Sequence, residues 1–145
     1  VGDLLFAADA VFGVATLERY PLPFAQDVSA QLKSFDVVAA TSISDGVKRL
    51  LPGHGELSDD IEGLVARNRA AVLRAAEVVL AACDDVGLED VLARTAAELD
   101  QTINDLARYH LNLCTVAAYL AHLRCEDRVE PVLAGGRLTW KEKAG

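Results

Sequence analysis

A chain of 145 residues is the size of one ordinary domain and long enough to bury a core. Hydrophobic residues make up 52% and charged residues 25%, which excludes a disordered chain, and no apolar run reaches the roughly 20 residues that a membrane helix needs. The net charge of −8 excludes a strongly basic surface: residues 1–85 carry 7 Lys+Arg against 13 Asp+Glu, and residues 86–145 carry 7 against 9, so neither half has the cation excess that binds a phosphate backbone.

The odd count of three cysteines, Cys83, Cys114 and Cys125, shows no CxxC spacing. A disulfide framework is not expected; the cysteines read as small buried hydrophobes and the expected compartment is the cytoplasm. No basic, apolar, small-residue leader opens the chain. The chain starts at Val1 and contains no methionine, from which a piece of a longer polypeptide is expected.

The first element is a short buried strand over Asp3–Ala8, closed by Asp9. Gly13–Pro23, with Pro21 and Pro23 flanking Leu22, reads as a surface loop. Val28, Leu32 and Phe35 at helical spacing predict a helix over about Ala25–Phe35, followed by an apolar run, Val37–Ala40, that starts after Asp36. Thr41–Arg49 is compatible with a turn or with a short capped helix. Leu50 and Leu51 then end a strand, and Pro52, Gly53, His54 and Gly55 form a sharp loop.

Asp59 and Glu62 make a capping-box-like start to a long helix ending near Asp84, with Leu64, Val65, Val72, Leu73, Ala76, Val79 and Leu80 on one face. Gly87 breaks the pattern before a helix over Leu88–Glu98. Asn104–Arg124 is a further long helix, with a break to be looked for near Asn112. Val129–Leu133 and Arg137–Trp140 predict a hairpin around Gly135 and Gly136, which supply positive φ.

Asp9 admits two readings. A carboxylate at the end of an apolar strand either caps the following turn, accepting from the amides of Val11 or Phe12, or holds a cation. His54 is likewise a plain loop residue between glycines, or a ligand. Taken together, an Asp closing one strand and a His closing another would meet at one sheet edge if the two strands are neighbours.

LLFAADAVFG followed by LLPGHGE resembles the C-terminal half of the metallo-β-lactamase superfamily. The resemblance implies an α+β, helix-rich fold, the C-terminal part of an αββα sandwich, over residues 1–86. It implies metal-binding roles for Asp9, the aspartate that bridges two Zn²⁺ ions, and for His54, the last histidine of the second metal. It further implies a hydrolase in which the metals activate water against an ester, thioester, lactam or phosphodiester bond of a small-molecule substrate. Two departures matter. Ala8 stands where the family has Gly, and the HxHxDH motif is absent, as is the histidine that follows it in the family; only His54, His110 and His122 occur. Two ligands do not hold a zinc pair, so this chain alone is expected to be inactive, with its metal site empty or incomplete, and to require the missing N-terminal half of the fold. Exposed edges left by such a division also predict self-association.

Residues 87–145 resemble the winged-helix-like extension of hydrolases related to β-lactamase-like protein 2. Arg124, Arg128, Arg137, Lys141 and Lys143 would then lie around the wing, while the acidic balance weighs against nucleic acid. The alternative function is a non-enzymatic winged-helix regulatory or protein-interaction domain. His110 with Cys114 and His122 with Cys125 place paired soft ligands at helical spacing, but the interval between the pairs matches no common structural zinc site, and every member also suits a packing face. Trp140 is expected to pin the hairpin to its helix.

Overall fold

The computed structural model describes residues 2–143, so the expectation attached to Val1 lies outside the described residues. Among them the elements are, in chain order, β1 (Leu4–Phe12), α1 (Val14–Arg19), α2 (Val28–Ser44), β2 (Arg49–His54), α3 (Ile61–Ala81), β3 (Asp84–Val86), α4 (Leu88–Glu98), α5 (Leu106–Cys125), β4 (Val129–Ala134) and β5 (Arg137–Glu142). The fold is α+β and helix-rich, as expected. Contacts divide the chain into two units, Val1–Pro21 with Ser29–Val72 and Leu22–Val28 with Leu73–Gly145.

In the first unit β1 and β2 pair in parallel, with Leu5 opposite Leu50 and Phe6 opposite Leu51. The strand expected to stop at Ala8 runs on to Phe12, and Asp9 lies inside it. Two features explain this. Pro52, opposite Ala8, has no N–H to give the ladder, and the pairing is irregular on both sides of Ala8, with four residue steps of β1 from Ala8 to Phe12 set against two of β2. Beyond the irregularity Val11 and Phe12 are buried, which draws the strand onward into the core. The expected PGHG loop also changes: Pro52, Gly53 and His54 belong to β2.

The predicted loop after Gly13 contains the short helix α1, started by Gly13 O accepting from Thr16 N and Leu17 N at 3.0 and 3.1 Å. None of its residues is buried, so hydrophobic periodicity gives no sign of it. α2 does not end at Phe35 but continues through Val37–Ala40 to Ser44. Phe35 and Val38, three residues apart, are both buried, and Arg69 of α3 donates to the Asp36 carboxylate and the Leu32 carbonyl while lying 5.7 Å over the Phe35 ring. That tertiary clamp makes Asp36 a helix-surface residue. α3 is capped by Asp60, not Asp59: its Oδ1 accepts from Gly63 N at 2.9 Å.

In the second unit three antiparallel strands run in the order β3-β5-β4. The sequence pattern does not reveal β3, because Asp84 and Asp85 read as a helix end. The hairpin is as expected, with Gly135 at φ 57° and Gly136 at φ 76°. Trp140 lies between Pro131 and Val86, so β5 is the central strand. α5 shows no break at Asn112, whose Nδ2 donates to Arg108 O and whose Oδ1 accepts from Gln101 Nε2. Its N-cap is Asp105, which accepts from Arg108 N at 2.8 Å.

The core of this unit contains Val91, Leu92, Val116, Tyr119, Leu120 and Leu123. The expected surface excursion at Pro21–Pro23 is corrected in part: Leu22 and Ala25 are buried, and the Tyr119 hydroxyl donates to Pro23 O at 3.2 Å. Burial pushes the Tyr119 phenol well above its ordinary range and the Cys83 thiol up to about 11. Of the three cysteines only Cys83 is buried; Cys114 and Cys125 are exposed, contrary to expectation. Among the described residues no helix is long and apolar enough to cross a membrane.

Candidate functional site

The site is built where β1 and β2 run out side by side. Ala8 has φ 44°, a left-handed conformation that costs an L-residue about 1–2 kcal/mol, and it sits at the ladder irregularity from which Asp9 projects. The residue that the family resemblance replaces by Gly is therefore one whose backbone favours Gly.

Gly53 leaves the space that Asp9 uses. A Cβ at position 53 would collide with Asp9 Oδ1 and lie 2.8 Å from Ala8 C. Gly55 and Gly13 approach just as closely: a Cβ on Gly55, at φ 131°, would lie 2.6 Å from the Gly13 Cα. This contact lets Gly13 N donate to His54 O at 2.8 Å, and Thr16 Oγ1 donates to the same carbonyl at 3.3 Å. The His54 ring stacks on Phe12 at 6.3 Å and 22°. Phe12 is fixed in turn by buried Asn68, whose Oδ1 accepts from Phe12 N and whose Nδ2 donates to Phe12 O, both at 2.8 Å.

The result is that His54 Nε2 and Asp9 Oδ1 stand 3.7 Å apart, with both side chains 68% exposed. Two donors on one tetrahedral zinc, each about 2.0–2.1 Å from it, lie roughly 3.3 Å from each other, so the pair needs only a few tenths of an ångström to share an ion. Of the two amides that the local-cap reading offers to Asp9, that of Phe12 donates to Asn68 instead. The donor set is nonetheless short. Among the described residues no group of three or more His, Cys, Asp and Glu side chains converges, so the chain offers two donors where a zinc site needs about three or four.

The other two histidines do not join them. His110 lies edge-on to Tyr109, and buried His122 has its Nε2 3.7 Å from Glu126, so neither His–Cys pair of α5 forms part of a metal cluster among the described residues. Sequence reasoning misses Asn68, Phe12 and Thr16 as supports of the site. For Asn68 the one available signal is an amide set into an otherwise apolar helix face.

The sequence matches no protein-family model and no curated protein. Solved structures do match. A metallo-β-lactamase family protein of Thermus thermophilus superposes with a TM-score of 0.71 at 17% identity, covering 97% of this chain and 42% of that one. A β-lactamase domain protein of Burkholderia ambifaria gives a TM-score of 0.74 at 18% identity, covering 97% and 41%. The fold of this chain is thus one found in metallo-β-lactamase family proteins, and the chain spans about two fifths of the length of these two structures.

Proposed function

We propose that this chain is the Asp9- and His54-bearing portion of a metal-dependent hydrolase of metallo-β-lactamase fold. The observation that carries the reading is the approach of Asp9 and His54 to 3.7 Å across a parallel strand pair, in a fold shared with metallo-β-lactamase family proteins. Zn²⁺, when bound, supplies a Lewis acid and a water of lowered pKa for attack on an ester, thioester, lactam or phosphodiester bond. The contribution of this chain is positional: Gly53 and the irregularity at Ala8 present the carboxylate, and Phe12, Gly13 and Thr16 orient the imidazole. The remaining donors come from outside the chain, so this chain alone does not hydrolyse substrate.

Residues 87–145, together with the end of α3 and β3, are read as a winged-helix-type module. The helix–strand–helix–helix–strand–strand order and the β3-β5-β4 sheet support this. A packing or substrate-shaping role suits it better than nucleic-acid binding. Arg128 forms a two-pronged pair with Glu77, Lys141 pairs with Glu130 and Lys143 with Asp127, so three of the five cations around the wing are already neutralised. The non-enzymatic alternative draws no separate support.

The test is a Zn²⁺ titration followed through the His54 ring signals by NMR. The expected result is a weak, saturable shift that the Asp9→Ala variant loses. An imidazole indifferent to Zn²⁺, or one that responds equally in Asp9→Ala, would overturn the assignment.

A further inference from the structure

From Tyr109 to Leu123, α5 carries no Asp, Glu, Lys or Arg, in a chain of which a quarter is charged. One side of this stretch, with Val116, Tyr119, Leu120 and Leu123, forms the core of its unit. The other side is open: Ala107, His110, Leu111, Cys114, Ala117 and Ala121 are exposed, and Leu106 and Leu111 reach 71% and 50% exposure. Uncharged side chains with two bare leucines are the composition of a covered surface, not of a solvated one. Positions 107, 110, 114, 117, 121 and 124 alternate in steps of three and four, the interval of a seam between two helices.

We infer that this face packs against the same face of a second copy, with the two α5 helices antiparallel. What selects a second copy is that the seam reads alike from both ends. About a two-fold axis between positions 115 and 116, Ala107 meets the partner's Arg124, His110 the partner's Ala121, and Cys114 the partner's Ala117. A larger side chain therefore faces an alanine in every layer, as close interdigitation requires. The ends are complementary in charge as well. Arg124 has no ion-pair partner among the described residues, and the antiparallel register carries it to the start of the other helix, near the partner's half-exposed Asp105, a carboxylate it would share with the Arg108 that pairs with Asp105 within each copy at 3.3 Å. A parallel pair would instead set Arg124 against Arg124. One helix pair buries only about 1,000 Å², so the dimer is a weak one, populated at roughly tens of micromolar and above. This inference concerns the second unit alone and does not depend on the metal reading.

Disulfide capture separates the registers. Position 107 faces positions 124–125 of the other copy, whereas within one helix it is about 27 Å from Cys125 at 1.5 Å per residue. The Cys114→Ala, Ala107→Cys chain should therefore give a covalent dimer under mild oxidation, while Cys114→Ala alone should stay uncrosslinked. Ala117→Glu, placed beside the axis on an exposed helical position, should weaken the dimer at least tenfold by sedimentation with an unchanged circular dichroism spectrum. Cross-linking through Cys125 to Cys125 in Cys114→Ala alone, a monomer at every concentration, or a dimer unaffected by Ala117→Glu would each overturn the inference.

Discussion

Asn68 holds both backbone polar groups of Phe12, accepting from its N–H and donating to its carbonyl at 2.8 Å each. A side-chain amide is the right group for this, because it carries a carbonyl acceptor and an NH₂ donor side by side, and its second N–H is left for the Leu64 carbonyl at 2.9 Å. It takes over the backbone hydrogen bonding of β1 where the partnership with β2 has become irregular. Because Phe12 stacks on His54, a residue with no access to solvent fixes the orientation of one that is exposed.

Replacing Asn68 by Ala leaves two buried backbone groups unpaired, each costing about 1–3 kcal/mol. The Asn68→Ala variant is expected to lose roughly 2–4 kcal/mol in urea unfolding, and the His54 ring signals should broaden or shift. A loss below about 0.5 kcal/mol would show that the two bonds are replaced by water.

The backbone of the site makes two substitutions opposite in sign. Ala8→Gly relieves a left-handed residue at φ 44° and should stabilise by up to about 1 kcal/mol after the extra freedom of Gly in the unfolded chain is subtracted. Gly53→Ala drives a methyl group into Asp9 Oδ1 and should destabilise by about 1–3 kcal/mol while displacing the carboxylate. Thermal melts of the two variants beside the parent chain provide the comparison.

Asp9→Asn and His54→Gln should leave stability within about 0.5 kcal/mol, because both side chains are largely exposed. Their effect belongs to the metal: zinc protection against thermal unfolding, small in the parent chain, should vanish in both variants. A melting temperature lowered in the absence of zinc would mark them as structural residues.

Alkaline pH should weaken the fold in a defined window. Cys83, held neutral by burial, ionises near 11 in the folded chain against an ordinary value of 9.0. Its contribution is therefore complete below about pH 9 and is lost as pH rises towards 11, because the unfolded chain releases the proton first. Tyr119, raised by burial as well, prolongs the decline. Urea midpoints measured at about pH 8 and about pH 10.5 should differ less in Cys83→Ala than in the parent chain.

Much of the site is legible in the sequence because its chemistry depends on side chains spelled out there. LLFAADAVFG and LLPGHGE mark Asp9, His54 and the glycines, and the structure brings that pair together. The supports are not legible: α1 buries none of its residues and so leaves no periodic trace, and Asn68 finds Phe12 across 56 positions of sequence. Asp36 looks like a break only because its partner, Arg69, lies 33 residues away.

Local pattern by itself determined the helices α3, α4 and α5 and the hairpin turned by Gly135 and Gly136, since periodicity and glycine conformation are encoded over a few residues, while the family resemblance singled out the two candidate ligands. Tertiary structure alone decided that β1 runs through Asp9 to Phe12, that α2 continues past Asp36, that β3 exists at all, and that carboxylate and imidazole stand within 3.7 Å. Those outcomes turn on hydrogen bonds and burial between segments far apart in the chain, whose free energy outweighs the local preference of any one of them.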